Sequence, residues 1–163
     1  MAKKKTNLSK YKASEIPSAI GLKIGIVVSE WNPEITESLF AAAYSTLLAY
    51  GCKQKNILRI NVPGSFELPA GAQLLTESKK PDAVICLGCV IQGETRHFDF
   101  ICDAVANGLM TLSLKYNKPF IFGVLTPNNM EQALARAGGK HGNKGVEAAV
   151  TAIKMAGLKK SLK

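Results

Sequence analysis

The sequence predicts an α/β fold, a three-layer sandwich with a four-stranded, mainly parallel sheet covered by helices on both faces. Two observations carry the prediction. Four short apolar runs alternate with longer segments whose apolar residues recur at helical spacing. The first run, at 23–29, also reads as a strand buried on both faces, as parallel strands are when helices cover both sides of the sheet. No internal repeat or low-complexity linker interrupts the 163 residues, so one domain with a real core is expected.

The elements follow in chain order. "KIGIVVS" (23–29) is β-branched and bounded by polar residues, a strand. The next segment opens with Asn32 in an N-cap position and Pro33 at the first helical one. It carries apolar residues at 35, 39, 40, 43, 47 and 48 and stops at Gly51, which predicts a helix. "NILRINV" (56–62) is the second strand, closed by Pro63-Gly64, and 67–78 the second helix in spite of Pro69 and Gly71. "DAVICLGCV" is the third strand, followed by a helix over about 98–116. "PFIFGVLT" is the fourth, followed by "NNMEQALARAG" and "NKGVEAAVTAIKMAG" as two helices. The intervening "GGKHGNKG" reads as a turn or as an anion-binding loop, and it fails the pattern of a nucleotide-binding P-loop.

The formal charge of +9 suggests nucleic acid until it is located. Residues 1–15 hold five lysines and one glutamate, and residues 154–163 hold four lysines and no acid, whereas the body is nearly balanced. Lysine-rich ends without interleaved aromatics read as solvated tails, so no nucleic-acid partner is expected. No apolar run approaches the roughly 20 residues of a membrane span, and the amino-terminal stretch lacks the pattern of a secretory signal. A cytoplasmic protein with no membrane partner is the expectation. Cys86 and Cys89 form a C-x-x-C, but in a strand positions three apart face opposite sides, so buried thiols rather than a metal site are expected.

In such a sheet, ligands collect at the carboxyl ends of the strands. Those ends read Ser29-Glu30-Trp31-Asn32, Val62-Pro63-Gly64-Ser65-Phe66-Glu67 and Gly88 through His97. They bring an indole, a phenyl ring, carboxylates, an imidazole and several hydroxyl or amide groups to one edge, a site for a planar polar ring. The first strand runs into "SEWNPE" without the glycines a dinucleotide site needs.

Five spaced motifs resemble the lumazine synthase family, in that family's order. They are Trp31-Asn32-Pro33, Val62 to Glu67, Gly93-Glu94-Thr95 with His97-Phe98-Asp99, Phe122 to Thr126, and Glu131-Gln132-Ala133 with Arg136. The resemblance runs from about residue 14 to 158. It implies a flavodoxin-like sheet of four strands plus a strand from the amino-terminal arm, with a basic arm over 1–15, one domain over 16–158 and a basic tail over 159–163. It also implies a cofactor-free enzyme of riboflavin biosynthesis. That enzyme condenses 5-amino-6-ribitylamino-uracil with 3,4-dihydroxy-2-butanone 4-phosphate, giving 6,7-dimethyl-8-ribityllumazine, phosphate and water. The alternative is a catalytically silent member of the same fold that binds flavins or lumazines or only builds a shell.

By the same resemblance His97 is the acid/base group and Arg136 the phosphate-binding arginine. Trp31 stacks on the pyrimidine, Asn32 with Gly64, Ser65, Phe66 and Glu67 binds its polar edge and ribityl chain, and Val90 and Ile91 wall the ring. Glu94 and Thr95 belong to the turn that holds anionic oxygens. Phe122, Arg136 and Lys140 come, in the family, from the neighbouring subunit of a pentamer, which some members close into icosahedral shells. Riboflavin synthase is a further expected partner. Pro17, just before the first strand, is placed to turn the arm toward a neighbour. Two departures stand out: Trp31 replaces the family's common phenylalanine, and Gln92 stands where an arginine often precedes Gly93.

Overall fold

The computed structural model describes Asn7 and residues 9–162. Strands β1 (Ile24–Ser29), β2 (Ile57–Val62), β3 (Ala83–Cys89) and β4 (Phe120–Leu125) form one parallel sheet in the order β2-β1-β3-β4. Helices α1 (Pro33–Ala49) and α5 (Lys144–Ser161) cover one face, and α2 (Leu68–Lys79) and α3 (His97–Lys115) the other. The short α4 (Met130–Arg136) follows β4.

Every residue of β1 and β3 is buried, and the period-two alternation divides them between two cores. Ile24, Ile26, Val28, Ile85 and Leu87 pack with Ile35, Leu39, Leu47 and Ile153 from α1 and α5. Val27, Val84 and Cys86 pack with Leu68, Leu75, Val105 and Leu109 from α2 and α3. Cys86 and Cys89 thus belong to opposite faces, as their spacing requires.

Helix α1 and helix α5 come close because α5 is lined with Ala148, Ala149, Ala152 and Ala156 and carries Gly145 in its first turn. A Cβ at Gly145 would stand 2.0 Å from the backbone oxygen of Leu39 in α1. Only glycine fits that crossing. Two differences from expectation follow from similar contacts. "GGKHGNKG" is a small antiparallel hairpin, β5 (Ala137–Gly139) with β6 (Gly142–Asn143), in which Gly138 at the register shift and Gly142 after the turn take positive φ. Helix α5 runs on to Ser161, because Gly157 does not end it but gives room to Pro17, whose ring lies 3.3 Å from where a Cβ would be. Pro17 therefore leans on α5 of its own chain.

The described residues ahead of β1 contain a 3-10 turn, Ala13–Glu15, and no strand. Ser9 instead straddles the hairpin: its hydroxyl accepts from the Asn143 N–H at 2.7 Å and lies 2.9 Å from the Asn143 carbonyl, to which it donates. The backbone of β6 engages a side chain there, not a ladder partner.

The helices that run antiparallel to the parallel sheet, α1, α2, α3 and α5, send their carboxyl ends to the amino edge of the strands. Lys79 and Lys80, Lys115 and Lys118, and Lys159 and Lys160 gather there, beside Lys23, Lys53 and Lys55 ahead of β1 and β2. Positive charge is favourable at that end of a helix. The Lys23 ammonium donates to the Lys79 carbonyl at 2.7 Å, and Lys159 bonds the Asn117 carbonyl. Glu34, Asp99, Glu131 and Glu147 occupy the first turns of helices, at the opposite edge. Among the described residues no helix is long and apolar enough to cross a membrane.

Candidate active site

The connection leaving β1 returns on its β2 side and the one leaving β3 returns on its β4 side, so the loops part above the β1/β3 boundary. The backbone shows the parting. The β1/β3 register ends at Val28↔Leu87, while β1/β2 pairing continues to Ser29↔Val62 and on through the Glu30 N–H to the Val62 carbonyl, 2.9 Å. Past its ladder β3 leans the other way: the Val90 N–H donates to Leu125 (2.8 Å) and the Gln92 N–H to Pro127 (2.9 Å).

A cleft of about 730 Å³ opens there, lined by Trp31, Asn32, Gly64, Ser65, Phe66, Glu67, Cys89, Val90, Ile91, His97, Phe100 and Ile101. Each wall has a local cause. Trp31 projects from the turn between β1 and α1 and is 72% exposed. Phe66 and Glu67 stand on a 3-10 turn, Ser65–Glu67, that precedes α2; here the chain tightens where the sequence predicts the helix to have begun. His97 is the first residue of α3, exposed toward the cleft mouth, its backbone N–H donating to the Thr95 hydroxyl at 3.4 Å. Phe100, one turn on, is 67% exposed. Apolar rings this bare, beside a histidine and a carboxylate, suit a flat heteroaromatic ligand with polar edges.

Two polar details sharpen that chemistry. The Ser65 hydroxyl is buried and unpartnered beside Gly88, where a Cβ would come within 2.6 Å of it. The Asn32 side chain does not cap α1, although the residue holds the N-cap position; its amide donates across the gap to the Cys89 carbonyl, 3.0 Å away. Thiolate chemistry is disfavoured, because burial pushes the Cys89 thiol up to about 11 and Cys86 higher still.

Of the residues expected at the site, nine line this cleft: Trp31, Asn32, Gly64, Ser65, Phe66, Glu67, Val90, Ile91 and His97. Glu94 and Thr95 are exposed in the bend leading to α3 and are not among its walls. Phe122 is exposed on the edge strand β4. Arg136 lies apart, in a recess of about 290 Å³ with Thr126, Gln132 and Lys144. Its side chain is only 20% exposed, not the solvent-facing helix charge its place in the sequence suggests; it donates to the His141 carbonyl (2.7 Å) and pairs with Glu147 (2.5 Å). Lys144 pairs with the other Glu147 oxygen at 3.2 Å, whereas Lys140 sits outside with exposed Glu131, 3.6 Å away.

The comparisons with known proteins decide between heteroaromatic chemistries. A family model described as 6,7-dimethyl-8-ribityllumazine synthase matches residues 21–160. The chain belongs to that family. It is 63% identical over 149 residues to the 6,7-dimethyl-8-ribityllumazine synthase of Cytophaga hutchinsonii, covering 91% of this chain and 93% of the relative. It is 53% identical over 164 residues to the protein of that name from Christiangramia forsetii, covering 100% and 98%. The protein of that name from Parabacteroides distasonis is 54% identical over 155 residues, covering 95% and 97%.

Phe100 and Ile101 in the cleft and Lys144 beside Arg136 are not among the residues the sequence singles out. Phe100 and Ile101 carry a usable signal, since they stand three and four residues beyond His97 on one face of α3. Lys144 carries a weaker one, the i, i+3 pairing with Glu147 in the first turn of α5.

Proposed function

We propose that this chain condenses 5-amino-6-ribitylamino-uracil with 3,4-dihydroxy-2-butanone 4-phosphate, releasing 6,7-dimethyl-8-ribityllumazine, inorganic phosphate and water. The observation that carries the proposal is the switch-point cleft, with Trp31, Phe66, Ser65, Glu67 and His97 around one volume, in a chain of this family. The 5-amino nitrogen adds to the ketone carbonyl and loses water to form an imine. A proton leaves C3 as phosphate departs from C4, the resulting enol tautomerises to a new ketone at C3, and the ribityl-bearing nitrogen adds to that ketone and loses a second water to close the ring. Each step moves a proton, which suits His97, whose imidazole can give a proton at one nitrogen and accept one at the other. Trp31 stacks on the pyrimidine, Ser65 and Glu67 hold its ribityl hydroxyls, and Val90 and Ile91 wall the ring. No cofactor enters this scheme.

Arg136 with Lys144 is the phosphate grip, a guanidinium suited to bidentate contact with phosphate oxygens. Because Arg136 and Phe122 stand off the cleft of their own chain, they serve the cleft of the next subunit in a ring, and a cyclic homo-oligomer follows. The bare rings of Trp31, Phe66, Phe100 and Phe122 are then covered. Such a ring is a pentamer, and the short β5–β6 hairpin suits pentamers that close into a shell. Lys140, outside the Arg136–Glu147 pair, stands at the rim, and Glu94 and Thr95 at the mouth. The cytoplasm is its compartment, and riboflavin synthase, which consumes lumazine, its natural partner. Sedimentation run with a lumazine fluorescence assay on the same fractions tests both claims. Lumazine should appear in pentameric or larger species. An active species of one subunit mass would defeat the shared site, and complete particles that form no lumazine would defeat the activity.

A further inference from the structure

Three described non-glycine residues have positive φ: Asn32 (57°), Lys80 (50°) and Asn117 (46°). Lys80 and Asn117 follow the ends of α2 and α3, where a left-handed residue is an ordinary way to stop a helix. Asn32 precedes a helix, where an extended backbone is usual, and it precedes a proline, which disfavours compact helical conformations. Asparagine tolerates the left-handed region better than most residues, but its side chain is not spent on capping α1.

What the conformation achieves is a crossing of the switch point. Beyond Val28↔Leu87 the backbone of β1 binds toward β2 and that of β3 toward β4, so the walls of the cleft diverge. The amide of Asn32 spans that gap to the carbonyl of Cys89, at the root of the Val90-Ile91 wall. Trp31 is the neighbour on its other side. We infer that Asn32 is a positioning residue, a brace that holds Trp31 and the Val90-Ile91 wall at the separation a flat ring needs, acting through the strand ends and not by touching substrate. The catalytic consequence rests on the activity proposed above; the brace itself does not.

Asn32→Gly keeps the left-handed turn at no steric cost and removes the amide, while Asn32→Asp keeps the shape but offers no donor. Trp31, the only tryptophan of the chain, reports directly. In ligand-free protein both variants should show faster local depolarisation of its emission. Added 6,7-dimethyl-8-ribityllumazine should then bind up to about tenfold more weakly, the size of one hydrogen bond. KM for the pyrimidine should rise more than kcat falls. Thermal unfolding of both variants shows whether the fold is intact, and the aspartate variant preserves the test if the glycine variant does not fold. Unchanged Trp31 depolarisation in both would overturn the brace, as would weaker binding without any change at Trp31, which marks Asn32 as a direct ligand contact. Faster depolarisation in a protein that forms no lumazine would sustain the brace and sink the activity alone.

Discussion

Gly145→Ala puts the α1–α5 crossing to the test. The new Cβ would lie 2.0 Å from the Leu39 oxygen and 2.8 Å from its carbonyl carbon. Both are backbone atoms inside α1 and cannot swing aside, so the helices must part by about 1 Å or α5 must shift along its axis; overpacking of this kind costs about 3 kcal/mol or more. Alanine returns up to about 1 kcal/mol through helix propensity and a less flexible unfolded chain. The balance is about 2 kcal/mol of destabilisation, equivalent to an unfolding temperature lowered by about 4–8 °C for a chain of this size. The displacement should also loosen Asn143, whose side chain accepts from the Gly145 N–H at 2.8 Å, and with it the Lys144–Glu147–Arg136 cluster. Thermal unfolding followed by circular dichroism measures the first effect, and KM for the butanone phosphate the second. Gly93→Ala is the control for stability, since its Cβ would meet nothing within 4 Å. A Gly145→Ala protein unfolding at the wild-type temperature would show that the crossing is not tight and that the reasoning fails.

Other outcomes follow from the same contacts. His97→Ala should lower turnover by about 100- to 10,000-fold, the range for a general acid/base group, and turnover at the wild-type rate across the pH range would remove His97 from the mechanism. Trp31 emission should fall as riboflavin or the lumazine fills the cleft; unchanged emission at saturation, with binding confirmed by calorimetry, would place the indole outside it. Burial raises the Cys89 thiol to about 11, so at pH 8 it stays protonated and iodoacetamide should spare it and Cys86 while reaching Cys102 first. Because the folded state holds that proton more tightly, stability should be full below the unfolded thiol value of about 8.5 and decline as the pH rises toward the folded one. Rapid labelling of Cys89 in native protein at pH 8 would contradict the burial.

Much of the architecture is legible in the chain because β1 and β3 are buried on both faces and read as unbroken apolar runs, and because α1 announces itself with Pro33 and an apolar stripe. What resists is whatever depends on distant partners. The hairpin of three- and two-residue strands has no period to detect. Gly157 followed by lysines imitates a helix stop, yet α5 continues because the glycine faces Pro17. Arg136 meets Glu147 eleven residues later, a pairing no helical spacing encodes. Asn32 was legible as to position but not conformation, since its partner on β3 is fifty-seven residues away. The candidate site divides the same way. Residues that follow strand ends are placed by topology alone, whereas Phe122 and Arg136 stand off the cleft of their own chain, and the strand-end rule does not reach them.

Among the described residues, the lysines gathered at the amino edge of the strands and the acids in the first turns of the helices at the other edge make the chain an electric arrow, with its base at the helix carboxyl ends and its cleft near the head. A plane of negative charge in dilute salt would attract the base and let it land first, since the field of the lysines reaches about a Debye length, some 10 Å at 0.1 M. An isolated chain adsorbed on silica or a sulfonated resin would therefore stand with the cleft turned to the liquid. On an amine-bearing support it would lie the other way up, mouth against the surface and closed to anything dissolved above it.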